Sequence, residues 1–221
     1  MKFIRVVQAG AIAAAFAASG VAQADPVNLL TNGSFEYPTV PNGTWVQDGS
    51  LSGNALFGWE YDPGQVVEIR NNAVGTAQHG VNYVELDSTN NMSIWQTIAT
   101  TVGQAYEISF WYSPRIDQPA STNGVNVYWG VTLLSDPTIT GDGGSINNWV
   151  KYTYTAVATG ITSTLKFSAE GASDSFGGNI DNVAISTVPL PGAALMFGSA
   201  LLGAGVLRRR KQDENPGGLA A

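Results

Sequence analysis

The chain has 221 residues, with 10 Lys and Arg against 17 Asp and Glu, a net charge of −7 and no cysteine. A chain this acidic argues against nucleic acid or anionic lipid as its partner. Without cysteine, an exported domain has to hold together without disulfides.

The N-terminus has the parts of a secretory signal peptide. Lys2 and Arg5 form a charged start, an apolar stretch follows, and the sequence "AQA" ending at Ala24 is a small-x-small cleavage site. We expect cleavage before Asp25, so that residues 1–24 are a signal peptide and the domain that follows them is exported.

The middle of the chain, residues 25–187, is about the size of one domain. It holds 4 Lys and Arg against 15 Asp and Glu, and it is rich in Gly, Asn, Ser and Thr. Its apolar residues recur at every second position almost throughout, which predicts β-strands. In "AYEISFWYS", one face carries Tyr106, Ile108, Phe110 and Tyr112, and the other carries Glu107, Ser109 and Trp111.

Eight or nine such strands, separated by turns rich in Gly, Asn, Asp and Pro, predict an all-β fold. We expect an antiparallel two-sheet jelly-roll sandwich. The stretch "GVNVYWGVTL" predicts one strand with Val125, Val127, Trp129 and Val131 on the same face. Further strands are predicted in "WVKYTYT" and "STLKFSA" and at Val66–Arg70, Val81–Asp87, Ser93–Ala99 and Asn179–Ile185.

Short motifs follow one another through this domain in an informative order. They are "NLLTNGSFE", "HGVNYVELD", "IWQTI", "GQAYEISFWYSPR", "NNWVKYTYT", "GASDSFGG" and "NIDNVAIS". Over about residues 27 to 186 this order resembles the galactose-binding-like jelly rolls of carbohydrate-binding modules. It is most similar to an uncharacterised family found in plant cell-wall proteins and in many exosortase-sorted bacterial proteins.

The resemblance implies a structural calcium ion that ties the first strand to the last. Its ligands would be Glu36, in "NGSFE", Asp181, in "NIDNV", and backbone carbonyls. Alternation places Asp181 on one face with Val183 and Ile185, at the core or its rim, where a bare carboxylate is costly. A hard divalent cation would satisfy it. The alternative is a hydrogen-bonded aspartate at the start of a strand.

Three aromatic residues are predicted to point outward from their strands: Trp95, Trp111 and Tyr128. Exposed aromatic rings on a sheet are typical of a binding surface, and sugar rings stack on them. Arg115 would add a polar contact. A glycan binder requires the three rings to be exposed and grouped in one groove; otherwise they lie under a loop or in an interface.

The sequence contains only weak indications of an active site. A Ser-His-Asp triad would need His79, the chain's one histidine, which sits in the Gly-bounded turn "AQHGVN". Glu85 and Asp87 share a face at about 6.5–7 Å along a strand, near the separation of glycosidase carboxylates. An enzyme would need this pair in a pocket with a perturbed acid; a solvated sheet face is the simpler interpretation.

Near the C-terminus, residues 190–207 contain no charge and are followed by Arg208, Arg209, Arg210 and Lys211. Eighteen residues make about 27 Å of helix, close to the hydrocarbon thickness of a bilayer. The stretch therefore predicts one transmembrane helix, with its basic end in the cytoplasm.

The motif Val188-Pro189-Leu190-Pro191, the apolar stretch and the basic cluster together resemble PEP-CTERM sorting signals, in the variant spelled Val-Pro-Leu-Pro-Ala. The resemblance implies processing by an exosortase-type membrane protease. Two features depart from the family: Gly192 replaces the usual alanine, and residues 212–221 form a tail beyond the sorting signal at 188–211. The alternative to a sorting signal is a simple C-terminal membrane anchor.

Together these features predict an exported, non-catalytic protein that binds glycan or exopolysaccharide. It would pass through an inner-membrane intermediate and reach the cell surface or extracellular matrix. The alternatives are a structural or adhesive matrix protein without specific glycan binding and a glycoside-active enzyme.

Overall fold

The computed structural model describes residues 27–48 and 56–189. These residues form two antiparallel β-sheets and no helix, so the predicted all-β two-sheet fold is confirmed. Within these ranges no helix is long and apolar enough to cross a membrane. The predicted signal peptide, the predicted transmembrane helix and the second half of the sorting motif (Leu190 and Pro191) lie outside the described residues.

Eleven strands occur in the described part of the chain. They are β1 Thr44–Asp48, β2 Glu60–Tyr61, β3 Val67–Asn71, β4 Asn82–Glu85, β5 Ser93–Ala99, β6 Ala105–Ser113, β7 Gly124–Trp129, β8 Thr132–Leu133, β9 Val150–Val157, β10 Thr162–Glu170 and β11 Asn179–Thr187.

The strands divide into a six-stranded sheet in the order β1-β3-β4-β11-β6-β9 and a five-stranded sheet in the order β2-β5-β10-β7-β8. From β4 to β7 and again from β8 to β11, consecutive strands lie in different sheets. Most connections therefore cross over the ends of the sandwich, as in a jelly roll. This topology gathers loops from both sheets at each end.

The core lies between the sheets and follows from the alternation in each strand. Ile108 and Phe110 on β6 face Leu165 and Phe167 on β10, and all four are fully buried. The rings of Phe110 and Phe167 meet edge to face at 4.9 Å between centroids, across the two sheets. The opposite faces of the same strands are left to form the outer surface.

One strand prediction is wrong. The stretch "GVNVYWGVTL" is not continuous, because Gly130 takes a positive φ of 59° and turns the chain between β7 and β8. Glycine adopts this conformation at no steric cost, and a two-residue hairpin turn with Gly first is a favoured type. Val131, predicted to share the face of Trp129, is instead 99% exposed at the tip of the turn.

Candidate functional site

A row of side chains crosses the outer face of the five-stranded sheet. Trp95 on β5 is the direct partner of Lys166 on β10, and Lys166 is the partner of Tyr128 on β7. All three are half-buried, and Lys166 Nζ lies 4.5 Å from the centre of the Tyr128 ring. We call these three residues the aromatic row. Glu60 on β2 and Leu133 on β8 extend it to both edges of the sheet.

Hydroxyl groups border the aromatic row on both sides. Thr97 and Thr164 form one cross-strand pair, with 2.8 Å between their hydroxyl oxygens. Ser93 and Ser168 form the other pair, at 3.2 Å. Because neighbouring strands lie about 4.8 Å apart, the two rings of the row are about 10 Å apart at the backbone. The surface is therefore a flat strip of two rings, one ammonium group and several hydroxyls.

Trp111 lies on the other sheet. It points outward from β6, is half-buried, and is the partner of Lys151 on β9. The three predicted aromatic residues are therefore not grouped in one groove: Trp95 and Tyr128 share the five-stranded sheet, whereas Trp111 belongs to the six-stranded one.

Arg115 follows β6 and is held within the protein rather than beside the aromatic row. Its Nη1 donates a hydrogen bond to Glu85 Oε1 at 2.6 Å, and its side chain is 12% exposed. Its guanidinium carbon lies 4.5 Å from the centre of the Phe176 ring. These contacts give Arg115 a structural role in closing the end of the six-stranded sheet.

Glu85 and Asp87 are both fully buried. The Glu85 carboxylate also accepts hydrogen bonds from Arg70 Nη2 at 2.5 Å and from the Gly177 amide at 2.6 Å. Burial raises the pKa of Glu85 to about 7, although Arg70 and Arg115 favour its charged form. The acid is perturbed, as an enzyme would require, but its oxygens are enclosed by hydrogen-bond partners.

Asp181 is fully buried as well, and four donors surround its carboxylate. Oδ2 accepts hydrogen bonds from the amides of Gln78 and His79, both at 2.8 Å. Oδ1 accepts one from the Asn182 amide at 2.5 Å and a longer one from the Ser34 hydroxyl at 3.4 Å. Burial raises the pKa of Asp181 to about 7, against these amide hydrogen bonds.

The predicted face of Asp181 is wrong. Asp181 is the partner of the outward-pointing Trp111, whereas Val183 and Ile185 are buried in the core. A register shift follows Asp181, and Asn182 has a positive φ of 49°. This β-bulge inserts a residue and reverses the alternation. Asp181 therefore lies on the outer side of the sheet, where the loop of residues 76–81 covers it.

Glu36 and Asp181 both accept hydrogen bonds from backbone amides of one segment, residues 78–82. Glu36 Oε1 accepts hydrogen bonds from the amides of Val81 and Asn82, both at 3.0 Å. Calcium takes six to eight oxygen ligands, whereas here donors occupy the lone pairs of Asp181. No group of three acidic, His or Cys side chains that could hold a metal occurs in the described ranges. As arranged, these residues make an incomplete calcium site, and calcium binding stays a prediction.

Ser34, His79 and Asp181 come together without forming a catalytic triad. Ser34 Oγ lies 2.7 Å from His79 Nδ1. Asp181, however, accepts the backbone amide of His79 and not its ring nitrogen. A triad needs the carboxylate on the imidazole. His79 is an exposed residue in a bend, as the sequence indicates.

A second aromatic site was not predicted from the sequence. Tyr37 and Phe57 are 58% and 55% exposed, and their rings meet edge to face at 5.6 Å. With Thr31 and Asn32 they line an open cleft of about 370 Å³. Both rings lie in loops, where alternation gives no signal. Lys166, also missed, could have been found, because it alternates with the apolar Leu165 and Phe167.

A family model described as "Protein of unknown function (DUF642)" matches residues 28–186. No curated protein matches the chain.

Several solved structures resemble the fold. A family 35 carbohydrate-binding module from Clostridium thermocellum is 14% identical, covering 57% of this chain and 90% of that one, with a TM-score of 0.41. TmCBM61 in complex with beta-1,4-galactotriose is 16% identical, covering 73% and 99%, with a TM-score of 0.46. The K1 cleaved adhesin domain of Lys-gingipain from Porphyromonas gingivalis W83 is 17% identical, covering 66% and 100%, with a TM-score of 0.48. At this level of similarity, these matches carry no inference about the ligand of this chain.

Proposed function

The chain belongs to the DUF642 family, and we propose that its sandwich binds a glycan or exopolysaccharide without altering it. The observation that carries the proposal is the aromatic row. Trp95 and Tyr128 come from strands that are not sequence neighbours, and the sheet places them in line on either side of Lys166.

The chemistry of the row suits a sugar. A pyranose ring presents C–H groups on its faces and hydroxyls around its rim, so it needs aromatic planes with polar groups beside them. The two half-buried, outward-pointing rings provide the planes. Lys166 and the hydroxyl pairs of Thr97 with Thr164 and Ser93 with Ser168 provide donors and acceptors.

The same chemistry disfavours the structural or adhesive alternative for this face. A self-associating surface typically has an apolar centre depleted of charge. Here an ammonium group lies at the centre of the row and the exposed Glu60 lies at one end. A ligand rich in hydroxyls fits this face better than a second copy of it.

The carboxylates support binding rather than hydrolysis. A glycosidase needs one carboxyl group to donate a proton to the bond that breaks and the other beside it. Glu85 is fully buried and its oxygens accept hydrogen bonds from two arginines and an amide. We therefore assign Glu85 to holding the sheet and its loops together.

The proposal extends to cellular location. The signal peptide and the sorting signal predicted from the sequence would export the domain through an inner-membrane intermediate. An exosortase-type protease would then deliver it to the cell surface or matrix. The support for this part is the sequence at the two ends of the chain.

A glycan array probed with the purified chain tests the function, and Trp95→Ala and Tyr128→Ala test the site. We expect each substitution to weaken binding of the best ligand by about tenfold or more, as loss of a central aromatic contact does. Trp111→Ala is the matched control, because it removes a half-buried outward indole from the opposite sheet.

The affinities of the three variants and of the unmodified chain distinguish the possible binding sites. Loss of affinity in Trp111→Ala alone would move the site to the six-stranded sheet. Unchanged affinity in all three variants would point to the cleft of Tyr37 and Phe57. A chain that binds no glycan on the array would reject the function and favour the adhesive alternative.

A further inference from the structure

Three loops lie together at one end of the sandwich. Residues 100–104 join β5 to β6, residues 130–131 join β7 to β8, and residues 158–161 join β9 to β10. Two backbone hydrogen bonds of 2.8 Å join the first loop to the third. We call this the uncharged end.

The uncharged end contrasts with the rest of a strongly acidic domain. The segments 97–106, 125–135 and 152–165, which include the three loops and the strand residues next to them, contain no Asp, Glu, Lys, Arg or His. The loop after β6, at the opposite end, carries Arg115 and Asp117. Within the described residues, an acidic domain thus presents three neighbouring loops without charge.

Each loop of the uncharged end also displays a branched aliphatic side chain. Val102 is 61% exposed, Val131 is 99% exposed and Ile161 is 79% exposed; Val157, at the end of β9, is 54% exposed. Turns usually carry Gly, Pro, Asn, Asp or Ser at such positions. The fold therefore does not account for these residues, and together they mark an interaction surface.

Hydroxyl groups lie between the aliphatic tips. The loops border an open cleft of about 210 Å³, lined by Trp129, Val131, Val157 and the Thr and Ser side chains of residues 159–164. Apolar tips with uncharged hydrogen-bonding groups behind them match the boundary between lipid tails and headgroups.

The chain leaves the domain at this same end. The Val188 amide donates a hydrogen bond to the Ala105 carbonyl at 2.9 Å, and Gln104 Nε2 donates one to the Val188 carbonyl at 2.9 Å. Only Pro189 separates Val188 from the uncharged stretch 190–207. At 3.3–3.6 Å per residue, the link spans at most about 7 Å.

We propose that, while the chain is anchored by its predicted helix and before the sorting signal is processed, the uncharged end rests on a lipid bilayer, with Val102, Val131 and Ile161 inserted among the headgroups. The proposal rests on the membrane-spanning helix predicted at residues 190–207 and is independent of glycan binding. A link this short holds the end of the domain at the bilayer surface, and apolar tips make that position favourable. Because the contact involves no charge, it is insensitive to salt.

The chain contains no cysteine, so a single introduced cysteine can be labelled at a chosen position to test the proposal. Val131→Cys, Ile161→Cys and Ile146→Cys are each labelled with an environment-sensitive fluorophore on the full chain, and the chains are reconstituted into phosphatidylcholine vesicles. Ile146, 74% exposed in the loop before β9 at the opposite end, is the matched control. Circular dichroism confirms that each variant folds.

We expect the labels at 131 and 161 to shift to shorter wavelength and to be shielded from an aqueous quencher, at low and high salt alike. The label at 146 should stay accessible. Equal accessibility at all three positions overturns the proposal, as does a chain that fails to float with the vesicles. A shift that disappears as the ratio of protein to lipid is lowered also overturns it, because a second copy would then cover the uncharged end.

Discussion

Asp181 is a fully buried carboxylate whose hydrogen-bond partners are three amides and one hydroxyl. Hydrogen bonds to the charged form lower a carboxyl pKa, whereas burial raises it. Burial dominates here, so the pKa of Asp181 rises from 3.8 to about 7. The residue therefore couples folding to pH near neutrality.

We expect the chain to unfold at a higher temperature at pH 5 than at pH 8. Because the folded pKa of Asp181 lies above the unfolded value, its contribution is complete below pH 3.8 and is lost as pH rises through about 7. The span from the folded pKa down to pH 5 is about two pH units, which corresponds to on the order of 3 kcal/mol of unfolding free energy. Calorimetry of metal-free protein measures it.

Asp181→Asn is the control for this pH dependence. It should flatten the rise in melting temperature between pH 8 and pH 5 without abolishing it. Glu85, whose pKa burial also raises to about 7, contributes with the same sign. A full rise in the Asn variant would show that Asp181 does not titrate in this range.

Calcium gives a separate expectation at Glu36 and Asp181. A metal binds the deprotonated carboxylate, so calcium should raise the melting temperature more at pH 8 than at pH 5. Glu36→Ala and Asp181→Ala should each remove that response. Identical melting curves with calcium and with chelator, recorded on metal-free protein, would contradict the predicted site.

At the scale of elements, residues 28–33, which precede β1, form hydrogen bonds with β11. We call this segment the clamp. Asn28 Nδ2 donates to the Val183 carbonyl at 2.9 Å, and Asn28 Oδ1 accepts from the Ile185 amide at 3.0 Å. The Gly33 carbonyl accepts from the Val183 amide at 2.8 Å. The clamp occupies hydrogen-bonding groups that the bulge in β11 would otherwise leave unpaired.

Gly33→Ala should destabilise the fold by about 1–3 kcal/mol or more, because it overpacks this clamp. A Cβ at position 33 would lie 2.1 Å from the Val183 carbonyl oxygen, a backbone atom that cannot move aside cheaply. Gly144→Ala, where the nearest atom is 3.9 Å away, should change the unfolding free energy little. Urea denaturation of both variants measures the difference, and equal midpoints would contradict the clamp.

Local alternation predicted two strands to the residue: β5 and β6 have the bounds expected from the sequence. It failed where one residue breaks the period, at the turn made by Gly130 and at the bulge made by Asn182. The site was predicted less completely. Alternation shows that Trp95 and Tyr128 point outward, but their alignment depends on β10 pairing with both of their strands. That pairing is long-range and leaves no local signal.

At the scale of the whole molecule, the aromatic row and the uncharged end have a fixed relation. The row runs across the strands, whereas the uncharged end lies where strands end. Along β10, Lys166 is four residues from Thr162, or about 13 Å. With the uncharged end on a bilayer, the row runs parallel to the membrane surface and stands clear of it, open to a polymer that lies along the membrane.

We therefore expect membrane placement and glycan binding to be independent. The dissociation constant for a glycan should agree within about twofold between the chain in vesicles and in detergent, since distant sites without shared partners rarely couple by more than about 0.5 kcal/mol. Trp95→Ala should leave the vesicle-induced shift of a label at position 131 unchanged. A tenfold loss of glycan affinity on reconstitution would mean that the bilayer covers the row, and the domain would then lie on its five-stranded sheet rather than on its uncharged end.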